Sequence, residues 1–219
     1  MVMVHKYGSI PAVEIKEVVL MEKFPITGAI LLGGESKRLG SPKAFLVHQG
    51  KSLAALLAEK MEPHVDQVLF VGKTENQVPE DAKGLGTFVA DEAGFSGPLA
   101  GFAGALVHTQ TPWIFLTAVD MPFFQNKVVE EMLKGGGAAD AVVPYVNGYW
   151  QPLCALWNRK VLDRLKDSSW RSFQYLLDQG GLLVVRIEEN ALRAWCEDLS
   201  CLQGFNTPEE WEAIQSRFK

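Results

Sequence analysis

A single α/β domain, a Rossmann-like three-layer sandwich around a mostly parallel sheet, is the fold class this sequence predicts. Three observations carry it. Short apolar runs alternate with segments whose apolar residues recur at helical spacing, the rhythm of a parallel sheet covered on both faces. One run, WIFLTAV at residues 113–119, is apolar enough to lie in the middle of such a sheet. The 219 residues suffice for one large core and are short for two.

The elements follow in order. Residues 1–24 read as an N-terminal extension of unassigned role, ahead of one domain over 25–219; Val13, Ile15, Val18 and Val19 could form a short strand there, and Met21 could be the natural start. Residues 29–32 form an apolar strand running into Gly33 and Gly34. Ser52 is placed to cap a helix that carries Leu53, Leu56, Leu57 and Met61 on one face. Strands follow at 68–71 and 87–90, then a helix marked by Leu99, Phe102, Ala103 and Leu106. After the strand at 113–119, Val128, Val129, Met132 and Leu133 mark another helix.

The second half is less regular. Residues 141–146 and 153–157 read as strands joined across Asn147-Gly148, a hairpin-type turn pair, and 182–187 as one more strand. The last helix is well marked, with Thr207 as N-cap, Pro208 at the first helical position and Glu210 closing a capping box. The sequence contains no repeat, low-complexity tract or linker.

Composition narrows the function classes. A net charge of −5 argues against a nucleic-acid partner, yet suits a small anionic substrate if the few cations gather at one site. Cys154, Cys196 and Cys201 form no CxxC pair and read as reduced, buried thiols. The scattered histidines offer no zinc pattern. No apolar run is long enough to span a membrane, and no signal-peptide pattern opens the chain, so the expected location is the cytoplasm.

The most informative stretch is LLGGESKRLGSPK, residues 31–43. Glycines let main-chain N–H groups approach phosphate oxygens, while Lys37, Arg38 and Lys43 offset a triphosphate's charge. The spacing fits neither a P-loop nor the GxGxxG dinucleotide fingerprint. Asp91 ends a strand just before GFSGPLAG, whose Gly97-Pro98 turn leads into a helix N-terminus favourable to phosphate or ribose oxygens. Asp120 stands at the C-terminal end of the most apolar strand, where a charge is costly unless hydrated, paired or bound to a cation. Ligands gather at such strand ends, and a carboxylate beside a triphosphate suits Mg²⁺.

These segments together resemble the MobA-type molybdenum cofactor guanylyltransferases of the NTP transferase family, over roughly residues 27–214. Residues 31–43 match L-x-G-G-x-S-x-R-x-G-x-x-K, with Leu32 in place of a common Ala. AVDMPF resembles C-D-x-P-[FY], with Ala118 for Cys. QPLCA resembles QPLxA, and FNTPEE the F-x-N-T-P-E-[ED] ending with one residue fewer. The resemblance implies a nucleotide-diphospho-sugar transferase-like fold. It implies transfer of GMP from GTP to molybdenum-molybdopterin with Mg²⁺, and partners among molybdoenzymes or cofactor-handling proteins. Nucleotide binding would fall to Leu31, Leu32, Gly33, Gly34, Lys43, Asp91 and Asp120, and catalysis to Arg38, Lys43 and the metal-holding Asp120. The acceptor would meet Gln151, Pro152 and Asn206. Trp150 could stack on a pterin, although an aromatic in a strand is more often core. The Gly-Gly pair favours a purine. The rival readings are a nucleotidyltransferase for a cytidylyl or sugar-phosphate product and a non-catalytic nucleotide-binding module.

Overall fold

The computed structural model describes residues 24–33, 39–166 and 170–217. The expected extension therefore lies outside the described residues, apart from Phe24, which begins the first strand. In chain order the elements are β1 (Phe24–Leu31), a small hairpin of β2 (Val47–His48) and β3 (Lys51–Ser52), α1 (Leu53–Met61), β4 (Val65–Gly72), β5 (Thr87–Ala90), α2 (Pro98–His108), β6 (Trp113–Ala118) and α3 (Asn126–Gly136). There follow β7 (Ala141–Val146), β8 (Tyr149–Trp150), β9 (Cys154–Asn158), α4 (Leu162–Leu165), α5 (Phe173–Gln179), β10 (Val184–Glu188), α6 (Glu189–Trp195) and α7 (Pro208–Gln215).

The main sheet runs β10-β7-β9-β6-β1-β4-β5, with β8 attached to β7. The block β6-β1-β4-β5 is parallel throughout, and β9 enters antiparallel between β6 and β7. Side-chain alternation along the strands divides the core in two. Ile26 and Ile30 of β1, with Phe70 and Phe115, meet α1, α3, α6 and α7 on one face. Ala29 and Leu31, with Leu69, Val71 and Leu116, meet α2, α4 and α5 on the other. The mostly parallel three-layer α/β fold is thus present.

β1 begins well before the predicted strand. Thr27 and Gly28 interrupt its apolar run, which hid the first half from a hydrophobicity reading. Thr27 is nevertheless fully buried, because its hydroxyl is satisfied by Thr109 at 2.6 Å and Thr111 at 2.9 Å. The cap on α1 is as expected: the Ser52 side chain accepts from the Ala55 N–H at 3.2 Å.

The hairpin needs a correction. Asn147 and Gly148 do turn the chain with positive φ, at 53° and 81°. The strand they return is the two-residue β8, paired Tyr145 to Trp150 and Val146 to Tyr149, and not the longer β9. Gln151 still donates its N–H to the Pro144 carbonyl, but Pro152 after it has none, so the ladder ends before β9 begins. The short helices α5 and α6 went unpredicted, since seven residues each hold too few apolar repeats to show a period. All three cysteines are free and buried. Among the described residues no helix is long and apolar enough to cross a membrane.

Candidate functional site

Because β6, β1, β4 and β5 are parallel, their C-terminal ends share one edge of the sheet. Leu31 pairs with Ala118 on one side and Val71 on the other, and Gly72 pairs with Ala90. The residues just past these pairs must therefore come together: Asp120, Gly33, Lys73 and Asp91 all line one cleft of about 700 Å³. That volume suits a nucleotide-sized ligand, and strand ends of this kind are where open α/β sheets bind ligands.

Lys43 enters from a single 3-10 turn, Lys43–Phe45, which Pro42 precedes in an extended conformation. Ala44 is buried in the core beside α1 and anchors the turn. The Lys43 ammonium then donates to Asp120 Oδ2 at 2.5 Å, to the Phe205 carbonyl at 2.5 Å and to Asn206 Oδ1 at 3.0 Å. It also lies 5.2 Å from the centre of the Phe205 ring. The two charged side chains are 12% and 26% exposed, which sets this pair apart from the solvated ion pairs of the surface.

The C-terminal segment that completes the site is held by its own helix. Phe205 is fully buried and packs on Trp211 of α7, ring centres 4.9 Å apart. Glu210 accepts from the N–H groups of Asn206 at 2.5 Å and Thr207 at 3.3 Å, and Thr207 Oγ1 accepts from the Glu210 N–H at 3.2 Å. The capping box read from sequence therefore also fixes Asn206 beside Lys43.

Across the cleft, burial pushes the Asp91 carboxyl above its usual range, and the charge of Lys73 pulls it back only in part. The Gly97-Pro98 start of α2 lines the same wall, which brings the positive end of the helix dipole to the cleft.

The structure sorts the sequence expectations. Lys43, Asp120 and Asn206 form one contact cluster, and Leu31, Gly33 and Asp91 line the cleft around it. Leu32 is not among the lining residues: it is 2% exposed, and its side chain packs in the core on the α1 face. Gln151 and Pro152 are not among the lining residues either. Gln151 is tied back to the hairpin through Pro144 and Tyr149, and the Pro152 carbonyl accepts from Trp157 Nε1 at 3.1 Å. Their neighbour Leu153 lines the cleft instead. Trp150 is held by Tyr145, Gln174 and Asp178. Gly34 and Arg38 lie outside the described residues. Lys73 was missed, although its place just after an apolar strand, beside the strand end that leads to Asp91, could have marked it.

A divalent cation can be tested against the donors present. Among the described residues no cluster of three ligand-type side chains is present. Asp120 offers one carboxylate in the cleft, with Oδ2 on Lys43 and Oδ1 towards Gly204. That fits a cation such as Mg²⁺, which takes one or two carboxylates and completes its shell with phosphate and water.

Known proteins place this geometry. A family model described as the MobA-like NTP transferase domain matches residues 28–188. A molybdenum cofactor guanylyltransferase from Desulfosudis oleivorans is 30% identical over 198 residues, covering 89% of this chain and 96% of that protein. Among solved structures, molybdopterin-guanine dinucleotide biosynthesis protein A from Archaeoglobus fulgidus is similar with a TM-score of 0.74 at 28% identity, over 87% of this chain and 97% of its own. The 2-C-methyl-D-erythritol 4-phosphate cytidylyltransferase from Thermus thermophilus shares the fold, with a TM-score of 0.58 at 18% identity over 86% of this chain and 96% of its own. With the match running from β1 to β10 and spanning the strand ends that build the cleft, the chain belongs to the MobA-like NTP transferase domain family and is a nucleotidyltransferase.

Proposed function

We propose that this enzyme transfers GMP from GTP to molybdenum-molybdopterin, giving molybdopterin guanine dinucleotide and pyrophosphate. The observation that carries the reading is the Lys43–Asp120 contact at the C-terminal edge of the sheet, in a cleft large enough for a nucleotide. The names of relatives such as the Desulfosudis oleivorans protein support the choice of substrates.

In this reading a terminal phosphate oxygen of the acceptor attacks the α-phosphorus. A new P–O bond forms, the bond to the β-phosphate oxygen breaks, and its electron pair leaves with pyrophosphate. The attacking oxygen is already anionic, so no general base is needed. Catalysis then rests on positioning and charge stabilisation. Lys43 neutralises phosphate charge as it shifts to the leaving group, and Arg38 is its expected second cation. Asp120 would hold a divalent cation, which supplies charge neutralisation at the phosphate oxygens when bound. In this reading the Asp91 carboxyl serves as an acceptor for N–H or O–H groups of the nucleotide. On the acceptor side, Leu153 and Asn206 replace the expected Gln151 and Pro152 as the residues within the cleft.

The test is incubation with GTP or CTP, Mg²⁺ and molybdenum-loaded molybdopterin, reading pyrophosphate release and product mass. A guanine dinucleotide formed from GTP supports the assignment. A cytosine product, or nucleotide binding with no pyrophosphate release, overturns it.

A further inference from the structure

Gln77 stands outside every motif and every residue assigned above, yet its carboxamide joins two segments of one wall of the cleft. It ends the 3-10 turn Glu75–Gln77 that follows β4. Its Oε1 accepts from the main-chain N–H of Lys73 at 2.6 Å and of Thr74 at 3.1 Å, while Nε2 donates to the Gly33 carbonyl at 3.3 Å. The partners fix the orientation of the amide, since turning it over would set an NH₂ against two N–H donors. Residue 72 has to be glycine for the group to lie there: a Cβ at that position would sit 2.7 Å from Oε1.

Capping alone does not account for this arrangement. Gln77 and Thr74 form a capping box on the short turn, and that role uses Oε1. The bond from Nε2 to Gly33 crosses to the end of a different strand, 44 residues away, and adds nothing to the cap. Gly33 and Lys73 both line the cleft. We propose that Gln77 is a positioning residue, which sets the spacing between the Gly33 and Lys73 main chains so that this wall is ordered before the nucleotide arrives. Ordering the free protein removes a cost from binding, so the effect falls on nucleotide affinity and leaves the chemical step alone. The inference rests on the reading that the nucleotide lies along this wall.

Two variants separate positioning from capping. Gln77→Glu keeps an acceptor for both N–H groups and remains a capping-box residue, but loses the donor to Gly33; Gln77→Ala loses both. The expected result is a rise of about threefold to tenfold in nucleotide KM and in Kd by calorimetry for both variants, the weight of one hydrogen bond. Turnover and acceptor KM stay within about twofold of the parent. The melting temperature falls for Gln77→Ala alone. The inference is overturned if Gln77→Glu binds nucleotide as the parent does. It is overturned equally if its rise disappears at high ionic strength, which would report charge repulsion, or if kcat and acceptor KM move as much. Calorimetry needs no turnover, so it tests Gln77 even where the parent releases no pyrophosphate, an outcome that would sink only the proposed reaction.

Discussion

The ammonium of Lys43 lies 2.5 Å from the Asp120 carboxylate although 77 residues separate them in the chain. One side chain comes from a loop-borne turn and the other from the end of a central strand. Asp120 follows the end of β6, the parallel neighbour of β1, and the turn that carries Lys43 is anchored in the core by Ala44. This contact, with the Phe205 carbonyl and Asn206 around it, supports most of what can be tested.

Asp120→Ala should abolish transfer while the fold survives. The carboxylate is partly exposed, and Lys43 keeps the Phe205 carbonyl and Asn206 as partners after its loss. Pyrophosphate release at ordinary Mg²⁺ and a melting curve measure the two effects. Near-parental turnover would remove Asp120 from the site.

Lys43→Ala should lower kcat by about 10²-fold or more, the scale of losing a charge-stabilising group in the transition state. Steady-state kinetics with saturating nucleotide would show it. A loss smaller than about threefold would mean that the ammonium serves the ion pair and not the reaction.

Asp91→Asn should separate stability from binding. Burial raises the folded-state pKa of Asp91 above its ordinary 3.8, so the fold favours the neutral carboxyl. Its stabilising contribution is complete below the ordinary value and is lost as pH rises through the raised one. Above the raised value the ionised Asp91 therefore opposes folding, and the amide should raise the melting temperature there. The gain should shrink to nothing as pH falls to about 3, below the ordinary carboxylate range. Nucleotide affinity should fall in the same variant. A melting temperature lower than the parent's at pH 7 would contradict the assignment of a burial-driven shift.

Thr207→Ala should cost about 1 kcal/mol of stability, the usual worth of an N-cap. It should also lower activity, because the same capping box holds the Asn206 main chain beside Lys43. Chemical denaturation and turnover, measured on one preparation, give both numbers. Unchanged turnover would show that Asn206 keeps its place without the cap.

Much of this was legible in the chain itself. The apolar strand at β6 announced that a charge at its end needs a partner, and Asp120 has one. The cap residues Ser52, Thr207 and Glu210 announced helix starts because capping is a local matter, settled within four residues. Asn147-Gly148 likewise announced a turn through its backbone preferences. Other features depended on neighbours distant in sequence. Thr27 looks like a break in a strand until Thr109 and Thr111 satisfy its hydroxyl. Lys73 is one surface lysine among many until the β4–β5 register sets it beside Asp91. Leu32 sits between cleft-lining Leu31 and Gly33, and strand alternation alone sends its side chain into the opposite core.

The sequence by itself determined the class of fold, the chemistry carried by its charged and glycine-rich segments, and the local starts and turns, since each depends on residues within one helical turn or one strand. Only the tertiary structure decided which of those segments share a cleft, that the Phe205 carbonyl completes the surroundings of Lys43, that Leu153 lines the cleft where Gln151 and Pro152 do not, and that Gln77 ties two segments of one wall together. Those relations are set by strand order and register, which bring together groups dozens of residues apart and leave no periodic trace in the chain.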